Sequence, residues 1–282
     1  MSFDRRITPY RPDLADQRLQ GQVDAERFVA GSIKRIKTTS APMRAQPSPE
    51  AALTTEALMG ELVTMYDEHE GWAWGQFQSD GYVGYLQSAL LDEPGPEPTH
   101  RVVAIRTFVY PGPNLKLPVV THLSLNSRVT VTGVEGDYAR LASGGWVFAA
   151  HLAGRDIHQS DYVAVAERLV GTPYLWGGKT SLGLDCSGLT QMALLAAGIQ
   201  APRDSDMQEK DLGSQVEIRA GLGGLRRGDL VFWKGHVGMM LDPTTLIHAT
   251  GHSMTVLVEP LAAAEERIRT KSYGPITSIK RL

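Results

Sequence analysis

Cys186 is the only cysteine in this chain of 282 residues, and it stands just before an apolar run. That run, Leu189 to Ala197, is interrupted only by Thr190 and Gln191 and stops at Gly198, the pattern of a helix with a glycine stop. Asp185 or Ser187 can cap the helix, which puts Cys186 in its first turn. A thiol there meets the positive end of the helix dipole and unpaired backbone N–H groups. Both favour the thiolate, the form that attacks carbonyl carbon. Such chemistry needs a base that becomes imidazolium, and the base needs a third polar group to set its tautomer. His236 and His248 are the downstream candidates. On adjacent antiparallel strands they would lie side by side, His236 meeting Cys186 and His248 accepting an N–H from the other ring nitrogen of His236. Taken from composition alone, a lone strand histidine is more often a satisfied core or surface residue.

The elements that must position these groups follow from periodicity. Asp161 to Val170 reads as a helix ending at Gly171. After the cysteine helix come three strands: one in Gly228–Gly235, with a turn, and two in His236–Leu241 and Thr245–Thr250. Val256-Leu-Val and a helical stretch from Leu261 to Arg267 close the chain. Helices first and antiparallel strands after them is an α+β order.

Upstream the texture is different. Residues 1–32 are polar and mixed, with an irregular amphipathic helix expected over Leu14 to Ala30, and read as a packing or connecting arm. From Ile33 the chain carries short strands at regular spacing, with Pro42 to Ala52 expected as a loop, which suggests a small β-barrel over 33–93. Leu91 to Thr99 is a proline-rich linker. The texture then recurs over 100–155: Leu62-Val-Thr-Met with Trp72, and Val129-Thr-Val-Thr with Trp146, look like two weakly similar copies.

Hydrophobic residues make up 42% of the chain, enough for a sizeable core. With 28 basic and 31 acidic residues the formal charge is -3, and no basic patch points to nucleic acid. One cysteine makes no internal disulfide, and no run has the length and apolarity of a membrane span. The first residues lack the apolar stretch of a signal peptide, so the expected compartment is the cytoplasm. Zinc spacing is poor, with neither Cys-x-x-Cys nor His-Glu-x-x-His, and no metal or other cofactor is expected.

At six points the sequence resembles the NlpC/p60 family of papain-like cell-wall peptidases. They are Pro173-Tyr-Leu-Trp-Gly-Gly, Leu184-Asp-Cys-Ser-Gly-Leu, Pro202-Arg-Asp-Ser-Asp-Met-Gln, Arg227-Gly-Asp-Leu-Val-Phe-Trp, His236-Val-Gly-Met and Ile247-His-Ala. The resemblance covers 158–282, and the two β-regions look like the bacterial SH3-like domains common in that family. It implies an α+β fold, a papain-like catalytic domain preceded by two small SH3-like barrels. It also implies Cys186 as nucleophile, His236 as general base and acid, His248 as orienting third member, and Tyr174 near the oxyanion beside the N–H of Cys186. Gly177 and Gly178 would let backbone pass close to the helix start.

The family hydrolyses the γ-D-glutamyl–diamino-acid bond of peptidoglycan stem peptides. Members with paired SH3-like domains and no export signal resemble enzymes that recycle free murein peptides and require a free N-terminal L-alanine. The resemblance therefore implies a peptidoglycan-derived peptide as partner. Asp185, with Ser187 beside it, would line the amine pocket, and Glu61 and Tyr82 of the first β-region would form its lid. Arg203 and Ser205 would hold the free α-carboxylate of the substrate. The bland alternatives are a cap for Asp185, a surface ion pair for Arg203, a solvated Glu61 and barrel packing for Tyr82. A cell-wall peptide-binding module, and an amidase or acyltransferase on the same fold, are the competing functions.

Overall fold

Ala41 and Met43 are fully buried, while Ser40, Pro42 and Arg44 between them are not. This period of two makes Ser40–Arg44 a strand. It pairs along its length with Leu53–Leu58 but meets Val83–Gln87 only at Arg44↔Tyr85, so a residue without an N–H is tolerated at Pro42. The proline content that suggested a loop from Pro42 to Ala52 is overruled here by burial of the two alternate side chains.

In the computed structural model, which describes residues 3–218 and 220–282, the chain divides into two compact units, Met1–Ile157 and His158–Leu282. The first unit holds a seven-stranded sheet in the order Leu91–Asp92, Ser32–Ile36, Leu62–His69, Trp72–Phe77, Val83–Gln87, Ser40–Arg44, Leu53–Leu58. Its inner face buries Ile36, Met43, Val63, Phe77 and Leu86. The second β-region is made of smaller pieces. His100–Val102 pairs with both Arg128–Val129 and Leu152–Gly154, and Val131–Glu135, Tyr138–Leu141 and Trp146–Phe148 form a meander. Val102, Val109, Leu123, Leu141 and Val147 fill its core.

The arm is not helical. It forms the short strands Tyr10–Arg11, Leu14–Asp16 and Phe28–Val29 with one 3-10 turn, Gln17–Leu19. Leu14 is fully buried against Tyr66 and Trp74, and Arg11 lies over the Trp74 ring while pairing with Asp13 and Asp67. These contacts with the barrel wall override the weak helical periodicity of the segment.

The second unit begins with α1, Tyr162–Glu167, whose cap Asp161 accepts the N–H groups of Val163 and Ala164. Next come α2, Cys186–Ala196, and α3, Ser205–Asp211. A six-stranded antiparallel sheet follows in the order Ser214–Val216, Ser278–Arg281, Leu230–Trp233, His236–Met240, Thr245–Thr250, Thr255–Pro260. The last of these strands leads directly into α4, Leu261–Lys271. α2 is buried on nearly every side, Thr190 and Gln191 included. It ends with Gly198 at φ 80° donating to Leu195 and Ile199 donating to Leu194, a Schellman closure that explains the glycine stop. No helix among the described residues is long and apolar enough to cross a membrane.

Candidate active site

Asp185 organises the start of α2. Its Oδ1 accepts the N–H of Gly188 at 2.7 Å, capping the helix, and its Oδ2 accepts the N–H of Gly177 at 2.8 Å. Arg203 donates to both oxygens, at 2.9 and 2.7 Å, and to the Ser187 hydroxyl at 2.9 Å. Backbones meet closely here. A Cβ on Gly188 would lie 2.2 Å from the Gly178 carbonyl oxygen, so only glycine fits in this turn. Gln208, fully buried on α3, donates to the carbonyls of Ser187 and Pro202 and ties α3 to the same turn.

These contacts show what three of the residues expected at the substrate touch within the protein. Asp185 accepts hydrogen bonds at both oxygens, from Gly177, Ser187, Gly188 and Arg203. Arg203 is 1% exposed and is paired with Asp185. Ser205 is the buried first residue of α3, after its cap Asp204. In the first unit, Glu61 is buried and accepts the N–H of Leu58, closing a turn, and Tyr82 belongs to the apolar core of the seven-stranded sheet. Barrel packing is thus the geometry found for Tyr82, and Glu61 is not solvated.

Cys186 is brought against the sheet. The backbone N–H groups of Val237 and Ser187 favour the charged form of its sulfur, and Val237 follows His236 directly. His236 is buried, its ring stacked parallel to that of Tyr273 at 5.5 Å and tilted against Trp233 at 5.6 Å. Its Nε2 lies 2.8 Å from Nδ1 of His248, and Nε2 of His248 lies 2.7 Å from Oε1 of Glu259. Arg267 grips Glu259 from behind, Nη1 donating to Oε2 at 2.7 Å and Nη2 to Oε1.

Tyr174 is pinned by its neighbours' backbone. It donates its N–H to Met254 O, while Leu184 donates to Pro173 O and Leu175 to Leu184 O. Its phenol is driven upward by burial first and then by the neighbouring Cys186 and Asp185, so it stays protonated and can donate. Trp176, two residues further on, is 67% exposed.

The electrostatics correct the thiolate expectation. Burial pushes the Cys186 thiol up to about 12, and Asp185 adds to the rise; the two backbone donors and Arg203 oppose it and lose. Burial likewise pushes His236 down to about 3, helped by His248 and Arg267 against the pull of Glu259. A helix dipole contributes of order 1 kcal/mol, whereas removing a charge from water costs several. The resting site therefore holds a neutral thiol beside a neutral His236.

Glu259, Arg267 and Tyr273 were not foreseen in the sequence. A signal for Glu259 existed. His248 pairs with Leu257, and a residue two further along a strand shares its face, which puts Glu259 diagonally across from His248. Arg267 lies on the next helix, beyond the reach of strand alternation. Among the described residues no group of three His, Cys, Asp or Glu side chains converges as metal ligands.

A capped cysteine with a histidine pair behind it is the arrangement of a papain-like hydrolase, and comparison with known proteins agrees. Residues 171–271 match the NlpC/P60 family. The C-terminal unit is an NlpC/P60 domain. Residues 43–91 match the bacterial dipeptidyl-peptidase SH3 domain, so the NlpC/P60 cysteine-peptidase domain follows an SH3-like one. Dipeptidyl-peptidase 6 of Lysinibacillus sphaericus is 26% identical over 269 residues, 85% of this chain and 95% of the relative. The γ-D-glutamyl-L-lysine dipeptidyl-peptidase of Bacillus cereus is 27% identical over 79% of this chain and 76% of its own. The crystal structure of an NlpC/P60 family protein from Bacillus cereus superposes with a TM-score of 0.74 at 21% identity, covering 89% of this chain and 99% of that one, and supports the shared fold.

Proposed function

We propose that this protein hydrolyses the γ-D-glutamyl–diamino-acid bond of peptidoglycan-derived peptides, with Cys186 as nucleophile, His236 as base and acid, and His248 as its orienting partner. The observation that carries the reading is the 2.8 Å contact between Nε2 of His236 and Nδ1 of His248, next to Val237, whose N–H favours the charged form of the Cys186 sulfur. The names of the relatives support the bond class. The two SH3-like regions over 33–93 and 100–155, and a cytoplasmic role in recycling free murein peptides with an N-terminal L-alanine, belong to the same proposal.

The chemistry starts from neutral partners. As Sγ attacks the γ-carbonyl carbon, its proton passes to Nδ1 of His236. The oxyanion takes hydrogen bonds from the Cys186 N–H and the Tyr174 hydroxyl. The tetrahedral adduct collapses to a thioester as His236 returns the proton to the leaving amine. Water then gives a proton to His236, attacks the thioester, and releases the γ-carboxylate and the thiol.

The test is product analysis by mass. L-Ala-γ-D-Glu-L-Lys and the meso-diaminopimelate peptide are incubated with the 282-residue chain, and L-Ala-D-Glu is followed. Release by wild type and none by Cys186→Ala is expected; no dipeptide from either peptide overturns the proposal. A matched peptide with an acetylated alanine amine tests the recycling specificity, and equal turnover of it removes that part.

A further inference from the structure

We propose that Glu259, held by Arg267, is a positioning residue that sets the tautomers of both histidines, so that the nitrogen of His236 facing the thiol is the one free to take a proton.

The argument follows the donors and acceptors in order. Arg267 only donates, and it gives N–H bonds to both oxygens of Glu259. Burial works to raise the Glu259 carboxyl, but the bonds from Arg267 and His248 outweigh it and hold the group at about 2. Glu259 is thus a carboxylate that only accepts. Nε2 of His248, 2.7 Å away, must carry the hydrogen. With its ring hydrogen on Nε2, His248 turns a bare Nδ1 toward His236 and accepts there. Nε2 of His236, 2.8 Å from that Nδ1, must then carry the hydrogen. What remains on His236 is an unprotonated Nδ1, the base the thiol requires. Without the anion at Glu259, each histidine could hold its hydrogen on either nitrogen, and the wrong choice puts an N–H toward the sulfur.

Glu259 also steadies the charge that appears during reaction. When His236 becomes an imidazolium, His248 accepts its Nε2–H bond and is polarised by the carboxylate behind it. Glu259 touches neither sulfur nor substrate, so its effect is on kcat rather than KM.

The inference rests on the peptidase reading only for its kinetic half; the tautomers are read without substrate. In the 15N-labelled 282-residue chain, long-range 1H–15N spectra distinguish protonated from unprotonated ring nitrogens, with His248→Gln used for assignment. Wild type should show hydrogen on Nε2 of both His236 and His248. Glu259→Met matches the glutamate in length but offers only a weak, uncharged acceptor, and should give mixed tautomers at both rings with kcat at least about tenfold lower, part of the roughly 10²–10⁴-fold a positioned base contributes. Glu259→Gln keeps an acceptor oxygen for His248 and should retain the Nε2–H tautomers with a smaller loss of kcat. Glu259→Leu replaces the Met variant if circular dichroism shows the latter unfolded. Unchanged tautomers in a folded Met or Leu variant overturn the proposal, whatever its activity. A tautomer shift in a wild-type background that cleaves no peptide supports the relay and counts against the peptidase reading alone.

Discussion

Arg203 holds both oxygens of Asp185 with two N–H donors while itself 1% exposed. The pair fixes the turn that presents Cys186, because the same carboxylate caps α2 through Gly188 and holds the Gly177 loop. Removing the cation leaves a buried carboxylate uncompensated. Arg203→Met should therefore lower stability by about 3–5 kcal/mol. Urea unfolding followed by fluorescence measures this, and Asp185→Asn combined with Arg203→Met should recover part of the loss, since the unpaired charge is then gone.

The buried thiol makes a distinct prediction for alkylation. With Cys186 pushed up to about 12 by burial, modification by iodoacetamide should be slow at pH 7 and climb steadily from pH 8 to 10. A low-pKa thiolate would instead react at a rate already flat at neutral pH. Rates measured across pH 5 to 10 in Cys186-containing protein separate the two.

Stability in acid should depend on His236. Its ring is held neutral down to about 3, against about 6.5 in the unfolded chain. The unfolded state thus binds a proton that the folded state refuses, so the contribution is whole above pH 6.5 and is lost as pH falls toward 3. The slope is at most about 1.4 kcal/mol per pH unit for one proton. His236→Gln should flatten the loss of unfolding free energy between pH 6.5 and 4.5. Below that window Glu259, held at about 2, loses its own contribution in either protein.

Gly188 should admit no side chain. A Cβ there would meet the Gly178 carbonyl oxygen at 2.2 Å, and backbone cannot swing aside as a side chain can. Gly188→Ala should cost about 1–3 kcal/mol of stability and, by displacing the turn that carries Cys186, most of the activity. Thermal unfolding and turnover of the γ-glutamyl peptide are the two measurements.

Tyr174 offers a test of the oxyanion site. Tyr174→Phe removes one hydroxyl donor and leaves the ring, and should lower kcat by about 10²–10³ with little change in KM. A KM effect with kcat intact would place the residue in ground-state binding instead.

The local grammar of the chain made much of the site legible. Gly198 at the end of an apolar run marked the helix stop, and Asp185 marked its start, because caps and periodicity act over a few residues. The strands bearing His236 and His248 were visible for the same reason. The arm was misread as a helix because Leu14 and Arg11 take their conformation from Tyr66, Trp74 and Asp67, far along the chain. Ser40–Arg44 was hidden by Pro42, although Ala41 and Met43 showed the alternation.

What the sequence by itself determined is which groups stand at the mouth of α2 and on the two neighbouring strands. What only the tertiary structure decided is their state. The thiol is neutral because neighbours from the sheet remove its water, and Asp185 is engaged because an arginine 18 residues away reaches it. His248 is oriented by a carboxylate and a guanidinium from the next strand and helix. Helix and strand propensities are properties of adjacent residues, whereas desolvation and hydrogen-bond saturation sum over every neighbour in space, and those neighbours are brought together only by the fold.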